Sequence, residues 1–359
     1  MTAMTPVTAT TSIQIENRSI GPDHEPFIIA EMSGNHNQSL DRALEIVEAA
    51  ARSGAHALKL QTYTAETMTL DLRRDEFFID DEKSLWKGHS LYELYEKAHT
   101  PWDWHEPLMK RGKELGLTVF STPFDLTAVD FLEDLNVPFY KIASFENTDH
   151  ALIRKVVATG KPVIISTGMA SVAEIAETVD VAKKAGCKDL VLLKCTSSYP
   201  ASPDTINLRT IPHLRDMFDV QVGLSDHTLG VGAAVASVAL GGTVIEKHFT
   251  LSRAEGGVDA AFSLEPSEMA LLVQETKTAW QAMGRVCYER TPGETSSMVF
   301  RRSLYISDDL QKGEPITEKN LRSIRPGKGL PPKYFDHLLG KRVRQDVPKG
   351  TPASWALIE

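Results

Sequence analysis

Eight short apolar runs alternate with amphipathic stretches along most of the chain, and this alternation limits the fold more than any other feature. The runs are Phe27–Met32, Ala57–Gln61, Thr118–Ser121, Phe139–Ile142, Pro162–Ser166, Leu190–Cys195, Gln221–Leu224 and Thr243–Phe249. Continuous apolar strands are typical of a parallel sheet covered on both faces. Eight strand–helix units predict an α/β fold, a (β/α)8 TIM barrel. An open doubly wound sheet is the alternative, but it usually has fewer strands, and no Gly-x-Gly-x-x-Gly motif follows the first run.

Composition narrows the possible partners and the cellular setting. The net charge of −9 argues against nucleic-acid binding, which normally needs a basic surface. The three cysteines form no CxxC pair, which predicts neither a disulfide framework nor a cysteine zinc site and fits a cytoplasmic location. The most apolar stretch, Val231 to Ile245, is too short to span a membrane. No signal-peptide pattern precedes the first run.

The chain divides into four predicted parts. Residues 1–15 are expected to be a disordered tail, residues 16–284 the barrel, and residues 285–298 a polar linker. Residues 299–359 contain several turn signals between short β-like runs and predict a small, mostly β domain. Within the barrel, the long connection from Thr62 to Thr100 carries Trp86, Tyr92 and Tyr95. Such a loop is either a lid or substrate wall, or a solvent-exposed insertion.

Polar side chains gather where the predicted strands end, which is where barrel enzymes place their catalytic groups. Runs two to six end in lysines and hydroxyl residues, which suit a phosphate and a carboxylate. Runs seven, eight and one are neighbours in a closed barrel, with strands roughly 4.8 Å apart. They bring His227, His248 and Glu31 together, and two histidines with open positions fit a divalent metal acting as a Lewis acid.

Each of these residues also has an ordinary structural interpretation. A single histidine is more often hydrogen-bonded than metal-bound, Glu31 can cap a loop, and strand-end Ser and Thr often cap the next helix. Lys59 can be an ion-pair partner or a Schiff-base lysine. The functional interpretation depends on the common location of these residues at one end of the barrel.

The strand-end residues lie in sequence strings that resemble the sialic acid synthase family. The strings include Ile29-Ala30-Glu31, Lys59-Leu60-Gln61-Thr62, Ser121-Thr122-Pro123-Phe124, Tyr140-Lys141-Ile142-Ala143-Ser144, Ser166-Thr167-Gly168-Met169, Gly223-Leu224-Ser225-Asp226-His227-Thr228 and Glu246-Lys247-His248-Phe249-Thr250. Near the C-terminus, Phe300 to Tyr305 and Arg325-Pro326-Gly327 resemble the family's antifreeze-like (SAF) domain. The resemblance implies a domain-swapped homodimer in which Arg325 reaches the partner's active site.

Other strings resemble the pseudaminic acid-forming branch of that family. They are Ser84 to Gly88, Leu91 to Tyr95 and Thr100 to His105 in the long loop, and Gly256 to Ser263 after the last strand. The resemblance implies a transferase that condenses phosphoenolpyruvate with 2,4-diacetamido-2,4,6-trideoxy-β-L-altropyranose and water, giving pseudaminic acid and phosphate. Ser197 and Val258 stand where N-acetylneuraminate synthases commonly have Asn and Pro, which weakens that alternative.

The resemblance also implies roles for individual residues. Glu31 is expected to be catalytic, and His227 and His248 to bind a divalent metal, Mn first, with Co, Mg, Fe or Zn as alternatives. Asn35, Asp259 and Arg325 are expected to contact the sugar. Phosphoenolpyruvate is expected to be held by Lys59, Gln61, Thr122, Lys141, Ser144, Ser166, Ser197, Tyr199 and Ser225.

Three other functions remain open from the sequence. The first is a sibling enzyme that makes N-acetylneuraminic or legionaminic acid. The second is a metal-independent aldolase that uses Lys59 as a Schiff base. The third is a sugar-binding or ice-binding protein without catalytic activity.

Overall fold

The computed structural model describes residues 12–82 and 84–359. The chain forms two compact units, and the boundary between them in the sequence falls between Gly284 and Arg285. The first unit begins with a hairpin of two antiparallel strands, β1 (Ile13–Ile15) and β2 (Arg18–Ile20). Residues 1–11 of the predicted tail lie outside the described residues. The prediction of a disordered tail up to residue 15 is wrong for Ile13–Ile15, because Ile13 and Ile15 are buried against the interior of the barrel.

Eight parallel strands of the first unit close into a barrel, which confirms the predicted fold class. They are β3 (Phe27–Glu31), β4 (Ala57–Thr62), β5 (Thr118–Pro123), β6 (Tyr140–Ile142), β7 (Val163–Ser166), β8 (Leu190–Cys195), β9 (Gln221–Asp226) and β10 (Val244–His248). The strands pair in chain order, and β10 pairs with β3 to complete the circle. In that pairing His248 stands opposite Glu31, so the predicted neighbours do lie side by side.

Helices follow the strands and cover the barrel. They are α1 (Leu40–Arg52), α2 (Ala65–Met68), α3 (Leu91–Ala98), α4 (His105–Glu114), α5 (Leu126–Asp134), α6 (His150–Ala158), α7 (Val172–Lys184), α8 (Thr210–Phe218), α9 (Gly232–Ala239) and α10 (Pro266–Met283). Ala43, Ile46, Val47 and Ala50 form a buried stripe along α1, and α7 begins with a capping box of Ser171 and Glu174. Among the described residues, no helix is both long and apolar enough to cross a membrane.

The connection between β4 and α4 is more regular than its sequence suggests, because it contains α2 and α3. Ser90 and Glu93 form a capping box that starts α3, and a bridge joins Phe78 to Ser90. These local interactions explain how so long a connection holds a defined shape on the catalytic side of the barrel.

The second unit has its own small apolar core, which includes Leu304, Ile306 and Leu321. Its strands β11 (Ser303–Ile306) and β12 (Leu321–Ile324) are antiparallel, and α11 (Pro292–Ser297) and α12 (Phe335–Leu338) are short helices. The predicted linker therefore contains a helix, α11, which starts at the capping box of Thr291 and Glu294. Arg325 is exposed in this unit, directly after β12.

Candidate active site

A cavity of about 430 Å³ lies at the C-terminal ends of the barrel strands, where the sequence predicts a site. Its lining includes most of the site residues predicted from the sequence. These are Lys59, Gln61, Lys141, Ser144, Ser166, Tyr199, Ser225, His227, His248 and Asp259. The strands β4 and β6 to β10 therefore deliver end residues to one volume, as the C-terminal ends of parallel barrel strands do.

Two lysines and two glutamates form a buried charge cluster at the floor of this cavity. The Nζ of Lys59 lies 3.1 Å from Glu31 Oε2 and 3.3 Å from Glu246 Oε1. The Nζ of Lys141 donates a hydrogen bond of 2.9 Å to the same Glu246 oxygen. The four side chains are at most 5% exposed, so the charges interact with little screening by water.

The two carboxyl groups of this cluster have different proton affinities. Burial raises the pKa of Glu31 to about 7, although the Lys59 ammonium opposes that shift. Burial also acts on Glu246, but the ammonium groups of Lys141 and Lys59 lower its pKa below the usual range. Glu246 is therefore the permanent anion, whereas Glu31 can hold or release a proton near neutral pH.

Hydroxyl groups line the same cavity as the ammonium groups of Lys59 and Lys141. The hydroxyls of Ser144 and Ser197 lie 2.9 Å apart, and Ser225 donates to Glu246 at 3.2 Å. The hydroxyls of Ser166 and Thr122 are buried without a hydrogen-bond partner among the described residues. Buried polar atoms are normally paired, so the unpaired Ser166 hydroxyl, which lines the same cavity as the two lysines, fits an anion site.

The two predicted metal ligands face each other across the end of β9 and β10. The ring centres of His227 and His248 lie 5.3 Å apart. The Nδ1 of His227 is 2.9 Å from the carbonyl of Thr196, which can only accept, so Nδ1 carries the proton. The His227 ring also hydrogen-bonds with the buried Cys195 side chain, which a metal on Nε2 would have to displace. The Nδ1 of His248 is buried without a hydrogen-bond partner and lies 3.6 Å from Asp259 Oδ2.

This donor set fits a divalent metal held by two imidazoles. The unpaired His248 nitrogen is the supporting observation, since a buried polar atom is seldom left unpaired. Within residues 12–82 and 84–359 no three His, Cys, Asp or Glu side chains come close enough together to hold a metal ion. The remaining coordination positions would therefore have to come from water or substrate, as in an open catalytic site.

Several predicted residues lie behind the cavity surface. Glu31 does not line the cavity itself but accepts a hydrogen bond of 2.9 Å from Gln61, which does. Asn35 is fully buried and donates to the Phe249 carbonyl at 3.0 Å and to Ser263 Oγ at 2.9 Å. Asn35 thus braces the loop after β10, and its position does not support the predicted sugar contact.

Two functional candidates were missed by the sequence prediction. Glu246 was noted at a strand end but received no role, although it bridges both lysines. Glu146 lines the cavity and has a buried oxygen without a hydrogen-bond partner, and burial raises its pKa to about 7. The alternation of side chains along β10 places Glu246 and His248 on the same face, and this signal was available in the sequence.

A closed parallel barrel with cations, carboxylates and two imidazoles at its strand ends has the architecture of a barrel enzyme. Residues 46–288 match the NeuB family, and the chain belongs to this family. Residues 301–359 match the SAF domain.

Named relatives support an enzyme of this family. The pseudaminic acid synthase of Campylobacter jejuni is 42% identical over 91% of this chain and 95% of that protein. The N,N'-diacetyllegionaminic acid synthase of the same organism is 36% identical over 88% of this chain and 95% of that protein. The crystal structure of an N-acetylneuraminic acid synthetase from Leptospira borgpetersenii in complex with citrate superposes with a TM-score of 0.72 and 31% identity, covering 81% of this chain and 96% of that one.

Proposed function

We propose that this protein is a pseudaminic acid synthase. It condenses phosphoenolpyruvate with 2,4-diacetamido-2,4,6-trideoxy-β-L-altropyranose and water, and releases phosphate. The observation that carries the proposal is one cavity that holds two buried ammonium groups, the unpaired Ser166 hydroxyl and two imidazoles. The 42% identity to a pseudaminic acid synthase supports the choice of acceptor.

The cationic half of the cavity suits phosphoenolpyruvate, which carries a phosphate and a carboxylate. Lys59 and Lys141 supply the positive charge, and Ser144, Ser166 and Ser225 supply hydroxyl donors. Gln61, Thr122, Ser197 and Tyr199 complete this set of ligands. Glu246 keeps both ammonium groups directed to the same place before the substrate arrives.

The reaction joins carbon 3 of phosphoenolpyruvate to the aldehyde carbon of the open-chain acceptor. Water adds to carbon 2, and the bond between carbon 2 and the phosphate oxygen then breaks. Glu31 is suited to hold or move the proton of that water, because its pKa is raised to about 7 while its Oε2 lies beside the Lys59 ammonium.

His227 and His248 would hold the divalent metal, with manganese proposed first. When bound, such an ion supplies Lewis-acid polarisation of the aldehyde oxygen. Asp259 lies beside His248 and is placed to bind the sugar. A domain-swapped homodimer in which Arg325 contacts the sugar, and a cytoplasmic location, belong to the same proposal.

The test is phosphate release from phosphoenolpyruvate, measured after chelation and metal add-back with three acceptors. They are the diacetamido-trideoxy altrose sugar, the legionaminic acid precursor and N-acetylmannosamine. Metal-dependent release with the first acceptor alone is the expected result. Release only with another acceptor would retain the reaction type but refute the product, and release with none would refute the function.

A further inference from the structure

The segment between β4 and α4 presents an apolar surface to the active-site cavity. Leu91, Leu94, Tyr95 and Ala98 all line the cavity, and their spacing of i, i+3, i+4 and i+7 places them on one face of α3. Met68, Ile79 and Trp86 from the same segment also line it. We use the name acceptor wall for Met68, Ile79, Trp86, Leu91, Leu94 and Tyr95.

An apolar helix face usually packs into the core, and part of this one does. Leu94 and Ala98 are buried. Leu91 and Tyr95 are only partly buried, as are Met68 and Ile79, and all four border the cavity. At Met68, Ile79 and Leu91 the outer part of the acceptor wall is therefore apolar surface that a bound molecule can still cover.

The acceptor wall is continuous with the reacting end of the cavity through aromatic rings. The ring centres of Tyr199 and His227 lie 4.5 Å apart, and those of Tyr199 and Trp86 lie 6.0 Å apart. Trp86 is anchored by a hydrogen bond of 3.0 Å from its indole nitrogen to the carbonyl of Val258. One molecule can thus contact the imidazoles at one end and the acceptor wall at the other.

The cavity therefore has two chemically different halves, a charged floor and an apolar wall. A hexose acceptor reacts at its aldehyde carbon, which must lie near the imidazoles and the phosphoenolpyruvate ligands. Carbon 6 is the far end of the same sugar, so it points away from the charged floor. Against apolar side chains, a methyl group at carbon 6 gains burial, whereas a hydroxyl group there loses its water without a new partner.

We propose that the acceptor wall, with Leu91 at its partly exposed edge, is the part of the cavity that discriminates a methyl group from a hydroxyl group at carbon 6 of the acceptor. This inference rests on the proposed function, because it assumes that the acceptor aldehyde reacts at the charged floor. It concerns the substituents of the sugar and not its stereochemistry. It therefore holds for the altrose acceptor and for a stereoisomer with the same substituents.

The test compares kcat/KM for two synthetic acceptors that differ only in a hydroxyl group at carbon 6. The wild-type protein should favour the 6-deoxy sugar by roughly tenfold or more, since one group in an apolar pocket changes selectivity by about this amount. The change Leu91→Asn should lower the ratio of the two kcat/KM values, 6-deoxy over 6-hydroxy, by roughly fivefold or more, because an amide can pair with the added hydroxyl. Leu91 is partly exposed in the first turn of α3, so the folded structure should tolerate the change.

Two further variants serve as controls. Leu91→Met keeps the surface apolar and should retain the wild-type ratio. Leu70→Asn makes the same chemical change as Leu91→Asn in the same segment, at a residue that is 62% exposed and does not line the cavity. The proposal is refuted if Leu91→Asn keeps the wild-type ratio, or if it lowers kcat/KM equally for both sugars.

A calorimetric titration of both sugars separates this proposal from the proposed function. If the wild-type protein releases no phosphate with either sugar, the proposed function fails, and binding alone then tests the acceptor wall. Tighter binding of the 6-deoxy sugar that is lost in Leu91→Asn supports the wall. Equal binding of the two sugars, or no binding of either, overturns it.

Discussion

Replacing Glu246 with Gln should destabilise the barrel strongly, because Glu246 neutralises two buried ammonium groups. Its Oε1 lies 2.9 Å from Lys141 Nζ and 3.3 Å from Lys59 Nζ, and all three side chains are at most 5% exposed. Glutamine has the same shape and can still accept hydrogen bonds, so Glu246→Gln removes charge with little change in packing. The cluster then retains Glu31 as its sole carboxylate, so at most one negative charge faces the two buried ammonium groups.

The magnitude follows from the burial of the cluster. Removing one partner of a buried ion pair costs about 3–5 kcal/mol. A domain of this size loses roughly 2 °C in Tm per kcal/mol, so thermal unfolding followed by circular dichroism should show a decrease of about 6–10 °C. Inorganic phosphate should raise the Tm of Glu246→Gln more than that of the wild type, because an anion that binds only the folded state restores the missing charge.

A surface ion pair supplies the control for this experiment. Lys184 and Asp180 lie one helical turn apart on α7, and both side chains are more than half exposed. Asp180→Asn should change the free energy of unfolding by less than about 0.5 kcal/mol. A Glu246→Gln protein that melts within about a degree of the wild type, with no extra response to phosphate, would refute the charge-cluster reasoning.

Three other perturbations follow from the site. Burial raises the pKa of Glu146 from 4.5 to about 7, so the folded state holds this proton more tightly and wild-type stability should fall as the pH rises through that range. The free energy of unfolding of Glu146→Gln relative to the wild type should therefore increase by about 2–3 kcal/mol between pH 5 and pH 8. A difference that stays constant over this pH range would contradict the prediction. Gly168→Ala would place a Cβ 2.4 Å from Ser144 Cβ and displace that serine, so KM for phosphoenolpyruvate should rise at least about tenfold. Gly160→Ala is the control, because Gly160 also has a positive φ but no atom lies within 4 Å of the added carbon. This variant should leave the KM for phosphoenolpyruvate unchanged. His248→Ala should abolish the stimulation of phosphate release by added metal, and retained stimulation would exclude His248 as a ligand.

The barrel and the location of its site were predictable because both depend on local sequence patterns. Continuous apolar runs such as Ile28 to Ala30 and Val163 to Ile165 indicate strands covered on both faces, and the ends of parallel strands must meet. Lys59, Lys141, His227 and His248 therefore reached the same cavity as predicted.

The remaining features depend on contacts between distant parts of the chain. The hairpin of β1 and β2 is short and polar on one face, and it became recognisable only by the packing of Ile13, Ile15 and Ile20 against the barrel interior. The family resemblance implies a sugar contact for Asn35, yet its amide pairs with Phe249 and Ser263, more than 200 residues away. Side-chain direction after a strand end is set by such contacts and not by local sequence.

The position of an isotopic label tests the proposed reaction most directly. Phosphoenolpyruvate and the diacetamido-trideoxy altrose sugar would be converted in ¹⁸O-labelled water, and the phosphate and the nine-carbon acid measured by mass spectrometry. If water adds to carbon 2 and the carbon–oxygen bond breaks, the phosphate should contain no ¹⁸O and should appear in equal amount to the acid. Labelled phosphate, or phosphate accompanied by pyruvate without the acid, would contradict the proposal.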